Sequence, residues 1–305
     1  MRKITVIGVP MWLGQTCFGT QLGPDAIRAA GLTQCLHSVS GDVIDIGNIT
    51  ISTEPCLSNN DSSCTIRNLE LVRDGVMLLA EKVTEAVISN RFPLILGGDH
   101  SIAIGSLAGM VRHYQNLGVI WYDAHADSNT PETSPSGNIQ GMPLAASMGM
   151  GHPYLVDIGG CSNKIKAENI VMIGVRDIDP GEKDFIQERQ IKIFTSEDVN
   201  KLGIGVVMEE AISYLAKQCD GIHLSFDLDV IDPNDACGVG TPVDCGIDLK
   251  TNLEAMRILA QHKVITSAEF VELNPLLDKE GRSATAALAL IQALLTSQQK
   301  YEIDI

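Results

Sequence analysis

The stretch VIWYDAHAD at 119–127 decides the fold: four apolar residues run directly into a carboxylate, an imidazole and a second carboxylate at alternate positions. Two further stretches repeat the arrangement, FPLILGGDHS at 92–101 and GIHLSFDLD at 221–229. Apolar runs that end in polar residues read as buried parallel strands, and ligand sites of open α/β sheets form at the carboxyl ends of such strands. Along an extended chain, residues i and i+2 point to the same side. Asp123, His125 and Asp127 can therefore face one point if the extended geometry persists, and so can Asp227 and Asp229. With His100, the three runs offer two imidazoles and four carboxylates. Carboxylates gathered this closely repel strongly, and a bound cation is their natural partner. Imidazole and carboxylate without thiolate suit Mn²⁺ better than structural Zn²⁺, and six ligands suggest two ions rather than one.

Around these runs, strand and helix patterns alternate. Strand-like segments lie at 4–9, 42–46, 93–96, 119–122, 170–173, 191–194, 222–226 and 264–271, several of them continuously apolar, as strands covered on both faces are. Helical spacing runs through 69–89, with Leu71, Val72, Met77, Leu78, Ala80, Val83 and Val87, and through 101–114. Further helices are expected at 24–35, 206–217, 250–262 and 283–296. This alternation predicts a three-layer α/β/α architecture with a mostly parallel sheet of about eight strands. No repeat or linker interrupts it, so residues 1–305 are expected to form one domain. Two polar segments, 52–63 and 128–141, are too long to be simple connectors. The second directly follows DAHAD, a natural place for substrate contacts.

Composition narrows the function classes. Apolar residues make up 45% of the chain and aromatics 4%, which predicts an aliphatic core. A formal charge of −16 argues against nucleic-acid or anionic-membrane partners and mildly favours a cationic ligand. No apolar run reaches the ~20 residues that a membrane span requires. The eight cysteines form no CxxC pair and no disulfide-like framework, and MRK at 1–3 runs straight into a strand without a secretory signal. A cytoplasmic protein with reduced thiols is expected.

The same residues carry a family resemblance. The three runs resemble the signature motifs of the ureohydrolases, the arginase and agmatinase superfamily, with arginase the nearest likeness. GVIWYDAHADSNTPETSPSGNIQGMP at 118–143 resembles the arginase loop almost residue by residue, as do GVRDIDPGE at 174–182, GVGTPV at 238–243 and SAEFVELNP at 267–275. The likeness extends from about residue 4 to beyond 275.

It implies manganese-dependent hydrolysis of L-arginine to L-ornithine and urea by a hydroxide that bridges two Mn²⁺ per chain. In that reading His100, Asp123, Asp127 and Asp227 bind one manganese or bridge the pair, with Asp123 and Asp227 as the bridging residues. His125 and Asp229 complete the second site. Asp127 also relays a proton to the leaving amine, and Glu272 matches the residue near the guanidinium. Asn129, Ser134 and Ser136 match the positions that hold the α-carboxylate, and Asp179 with Glu182 those that receive the α-amino group. These contacts separate arginase from agmatinase, whose substrate has no carboxylate. The resemblance also implies a homotrimer or homohexamer.

The chain departs from the family pattern at two places. Arginases usually read Ser-Gly-Asn-x-His-Gly where this chain has SGNIQG at 136–141, so Gln140 replaces a histidine that is thought to carry protons. Glutamine forms hydrogen bonds but does not titrate near neutral pH. Cys17 and Phe18 stand where arginases tend to carry a basic residue. His152, in GMGHPY, is expected in a loop without a role. Two alternatives stay open: a hydrolase of another guanidino or amidino compound (agmatine, guanidinobutyrate, formiminoglutamate), and a catalytically weak protein that binds arginine as a regulator.

Overall fold

The computed structural model describes residues 2–54 and 66–296; the part of the polar segment from 55 to 63 lies outside them. Eight strands form a single sheet: β1 (Ile4–Gly8), β2 (Val43–Asn48), β3 (Phe92–Leu96), β4 (Leu117–Tyr122), β5 (Ile170–Val175), β6 (Lys192–Thr195), β7 (Gly221–Asp227) and β8 (Ile265–Val271). Their order is β2-β1-β3-β8-β7-β4-β5-β6, and every pairing is parallel. The strands β1, β3, β4 and β5, apolar except for Thr5, are buried throughout, as two helical layers require. The edge strand β2 instead leaves Ile44 and Ile46 exposed.

Side chains alternate between the two faces. Val6, Leu94, Ile120 and Ile173 enter one core, and Ile7, Ile95, Val119 and Met172 the other. In chain order the helices are α1 (Gly23–Ala29), α2 (Leu32–Val39), α3 (Leu69–Ile88), α4 (Ala103–Met110), α5 (Pro143–Ser147), α6 (Pro153–Val156), α7 (Pro180–Arg189), α8 (Ser196–Leu202), α9 (Ile204–Leu215), α10 (Leu249–His262) and α11 (Arg282–Leu295). The first core takes residues of α1, α2, α8, α9, α10 and α11, and the second those of α3, α4, α5, α6 and α7. This is the three-layer α/β/α arrangement that the alternating pattern predicts. Among the described residues, no helix is long and apolar enough to cross a membrane.

Two helical expectations need correction. The single helix expected over 24–35 is broken, because Gly31 takes a left-handed conformation (φ 114°) that ends α1 and starts α2. The helix expected over 101–114 begins as a short 3₁₀ turn, His100–Ile102, and α4 ends at Met110.

The strand order positions the site. The three motif strands and β8 are consecutive in the sheet, as β3-β8-β7-β4. Tyr122 pairs with Phe226, so Asp123, just past the end of β4, stands level with Asp227, the last residue of β7. Gly174, near the end of β5, has φ 93° and lies so close to Val230 that a Cβ would overlap that side chain. Gly174→Ala is expected to destabilise the protein by about 1–3 kcal/mol from backbone strain alone. A thermal midpoint equal to that of the wild type would refute this.

Candidate metal centre

His100 opens its 3₁₀ turn from the end of β3, and the Asp99 carboxylate caps that turn by accepting the Ser101 N–H at 3.0 Å. The His100 ring lies flat on Trp121, with centroids 4.1 Å apart. Its Nε2 is 2.7 Å from the Ser225 hydroxyl, which donates to Glu269 Oε1 at 2.7 Å. Ser106 donates to the other oxygen of Glu269. Because the Ser225 proton goes to Glu269, its oxygen accepts from His100 Nε2–H, which leaves the Nδ1 lone pair free.

That Nδ1 faces three carboxylates, at 3.0 Å from Asp123 Oδ2, 3.0 Å from Asp127 Oδ2 and 3.1 Å from Asp227 Oδ2. Across Asp123, His125 Nδ1 lies 3.0 Å from Asp229 Oδ2 and 3.6 Å from Asp123 Oδ1. Two groups of ligand atoms result: His100, Asp123 and Asp227, and Asp123, His125 and Asp229. Asp123 belongs to both, while Asp127 joins the first through its contact with His100.

Despite the short distances, His100 Nδ1 and Asp123 Oδ2 are buried without a hydrogen bond of proper geometry. Their lone pairs converge on shared space, which is the geometry that a coordinated cation satisfies. Hard carboxylate oxygens with imidazole nitrogen and no thiolate make this a divalent metal site.

The electrostatics agree. Burial raises Asp227 well above the usual carboxylate range, and the neighbouring Asp229 and Asp123 raise it further. Burial and the charge of Asp123 likewise lift Asp127 to about 6. Burial would also raise Asp123, but the two imidazoles beside it hold it well below the usual range. Both histidines are pushed up by their carboxylate partners, although burial opposes this.

The metal centre forms the floor of a cleft of about 130 Å³ whose lining includes all the substrate-contact candidates: Asn129, Ser134, Ser136, Asp179 and Glu182. Asp179 caps α7, and the Glu182 carboxylate returns to its backbone N–H at 3.0 Å while also accepting the Ser128 N–H at 2.9 Å. Burial raises Glu182 to about 7. Asn129 Nδ2 donates to Asp179 Oδ2 at 2.9 Å, so the 128–141 segment and the α7 N-terminus form one joined wall. The Ser134 and Ser136 hydroxyls accept the N–H groups of Gly137 and Asn138, which holds the loop in its turns.

Glu272 lies just past β8, and its backbone is strained (φ 67°). It accepts the His100 N–H at 2.8 Å and Gln15 Nε2 at 3.0 Å, and burial with the nearby Asp99 raises it well above the usual range. Gln140 lines the cleft from the turn Ile139–Gly141, with its Oε1 buried and unpartnered. His152 caps α6 by accepting the Tyr154 N–H. In the N-terminal loop, Cys17 Sγ and the Phe18 carbonyl both accept from Asn274 Nδ2, and the Phe18 ring meets Trp12 edge-on.

Three contributors escape a reading of the sequence. Gln15 reaches Glu272 across 257 positions of chain, and Thr241 donates to Asp229 Oδ2 at 3.2 Å. Arg176 binds the Asp229 carbonyl at 2.7 Å. For Thr241 and Arg176 the available signal was their place inside GVGTPV and GVRDIDPGE; Gln15 had none.

A model of the arginase family matches residues 2–296. The chain is 54% identical over 294 residues to arginase of Bacillus caldovelox, covering 96% of this chain and 98% of that one. The solved structure of the Bacillus caldovelox arginase superposes with a TM-score of 0.94 at 53% identity, covering 98% and 99% of the two chains. Entamoeba histolytica arginase, solved in complex with L-ornithine, superposes at 0.89 with 37% identity, covering 96% and 99%. Family model, sequence and backbone coincide over nearly the full length, and the chain belongs to the arginase family.

Proposed function

We propose that this protein hydrolyses L-arginine to L-ornithine and urea with two Mn²⁺ per chain. The observation that carries the reading is the shared cleft, where paired ligand groups for cations lie beside a polar wall suited to an amino-acid head group. His100, Asp123, Asp127 and Asp227 would hold one ion, and His125 and Asp229 the other together with the bridging Asp123 and Asp227. When bound, the two cations supply Lewis acidity that makes water nucleophilic near neutral pH.

The chain's own residues supply position and proton transfer. Glu272 is held by His100 N–H and Gln15, and its remaining lone pairs take N–H groups of the guanidinium. Asp127, whose Oδ2 lies 3.0 Å from His100 Nδ1 in the same cleft, accepts the proton that the attacking water loses and passes it to the leaving amine. Asn129, Ser134 and Ser136 take the α-carboxylate, directly or through water, while Asp179 and Glu182 take the α-amino group. The reading treats the chain as one domain, placed in the cytoplasm and assembled as a homotrimer or homohexamer. Light scattering of the purified protein tests the assembly.

A site built to bond the α-carboxylate is penalised when its partner is missing. One hydrogen bond to a charged group contributes about 1.5–3 kcal/mol, so kcat/KM for arginine should exceed that for agmatine by at least about tenfold. Urea release measured side by side for arginine, agmatine and guanidinobutyrate, with formamide release for formiminoglutamate, tests this. Equal kcat/KM for arginine and agmatine, or an Asn129→Ala variant with unchanged preference, defeats the head-group assignment. Tight arginine binding without urea release in manganese-loaded protein would favour the regulatory reading instead.

A further inference from the structure

We infer that Arg176 is a positioning residue for one half of the metal centre, the half built from His125 and Asp229. The inference rests on the two-ion reading proposed above. Arg176 directly follows β5, and its side chain makes five hydrogen bonds, all to backbone carbonyls. Nε donates to Asp244 at 3.1 Å, Nη1 to Gly174 at 3.2 Å and Val230 at 3.3 Å, and Nη2 to Asp229 at 2.7 Å and Val243 at 2.9 Å. A guanidinium has five N–H donors in a rigid fork, and every one of them is used.

These carbonyls belong to three separate segments: the end of β5, the turn Leu228–Val230 that carries Asp229, and the loop that carries Thr241. Thr241 itself donates to Asp229 Oδ2. The backbone of Arg176 closes the circuit. Its N–H donates to the Ala124 carbonyl at 2.8 Å, and the Ala124 N–H donates to Asp229 Oδ1 at 3.2 Å. Asp229 is therefore fixed at its carbonyl by the Arg176 side chain and at its carboxylate through Ala124, the residue between Asp123 and His125.

The other half of the centre is anchored elsewhere. His100 is set by Ser225, Glu272 and the stack on Trp121, with no bond to Arg176. Loss of the brace should thus act on one ion and spare the other. Lysine at 176 offers three donors from a single nitrogen, so at least two carbonyls lose their partner while the positive charge stays. Methionine removes all five bonds and keeps an unbranched side chain.

The test uses titration calorimetry with Mn²⁺, together with hydrogen exchange and circular dichroism of the metal-free proteins. Loss of a residue that orients a ligand typically costs about 10–100-fold in metal affinity. Arg176→Lys and Arg176→Met should bind one ion with wild-type affinity and the second about 10–100-fold more weakly. In the metal-free variants, amides of residues 228–245 should exchange faster while the circular dichroism is unchanged. Two ions bound with wild-type affinity would overturn the inference. So would equal weakening of both ions, or a loss of circular dichroism in Arg176→Lys, since either makes Arg176 a general support of the fold. If the wild type binds no Mn²⁺, the two-ion reading fails by itself, and unchanged exchange of 228–245 in the variants would then refute the brace separately.

Discussion

Asp229→Ala is expected to leave the protein holding one divalent ion where the wild type holds two, and to lower turnover by roughly 10³-fold or more. Lewis-acid stabilisation of developing charge is worth several kcal/mol, and each 1.36 kcal/mol is tenfold in rate. Asp229 is 1% exposed, and its Oδ2 lies 3.0 Å from His125 Nδ1, so alanine removes the only carboxylate of the second ligand group that is not also in the first. His100 with Asp123, Asp127 and Asp227 is left intact, which is why one ion should remain.

The substitution also has a signature in acid. Without metal, carboxylate neighbours raise both imidazoles against the opposing effect of burial, so an entering cation must displace their protons. Affinity for both ions should fall as pH falls. Asp229 is the strongest of the charges that raise His125, so the wild type's second, acid-sensitive ion should have no counterpart in the variant at any pH. Elemental analysis that finds two ions in Asp229→Ala after dialysis would reject the ligand assignment.

The cluster of imidazoles and carboxylates was legible in the sequence because its members follow continuous apolar runs, where a strand's two-residue period leaves few choices of direction. The structure brings Asp123 level with Asp227 through the pairing of Tyr122 with Phe226, and no local pattern states that register. Asp179 and Glu182 alone read as a helix cap, and they do form one; their place in the cleft depends on Asn129, fifty positions away. Helices α7 and α8 went unread because each offers few apolar residues: Phe185 and Ile186 in one, Val199 and the exposed Leu202 in the other. Gln15 and Arg176 act through long-range hydrogen bonds, Arg176 solely to backbone carbonyls, and a carbonyl leaves no trace in residue identity.

Gln140→His is expected to raise kcat by about 10²-fold or more while changing KM little, since general acid–base assistance is worth about 10²–10⁴-fold and proton transfer is not ground-state binding. Gln140 stands in the cleft wall, its N–H bonded to Gly14 O at 3.0 Å, so the backbone already fixes where an imidazole would project. The buried Oε1 has no partner, and replacing the amide therefore breaks no hydrogen bond at that atom. An imidazole that carries protons from the cleft to solvent works in its neutral form, so the gain should be present above its pKa and lost as pH falls through it. A new ionisation should appear in the kcat profile within the range where histidine titrates. The unmodified protein should turn over slowly and respond to added imidazole, a diffusible base that can do the same work. The competing account is that water or another group, such as the Glu182 carboxyl with its pKa near 7, already carries the proton. On that account the substitution only perturbs packing. Unchanged or lower kcat in Gln140→His, with no imidazole rescue of the wild type, would decide for it, and the metal and head-group assignments would stand in either case.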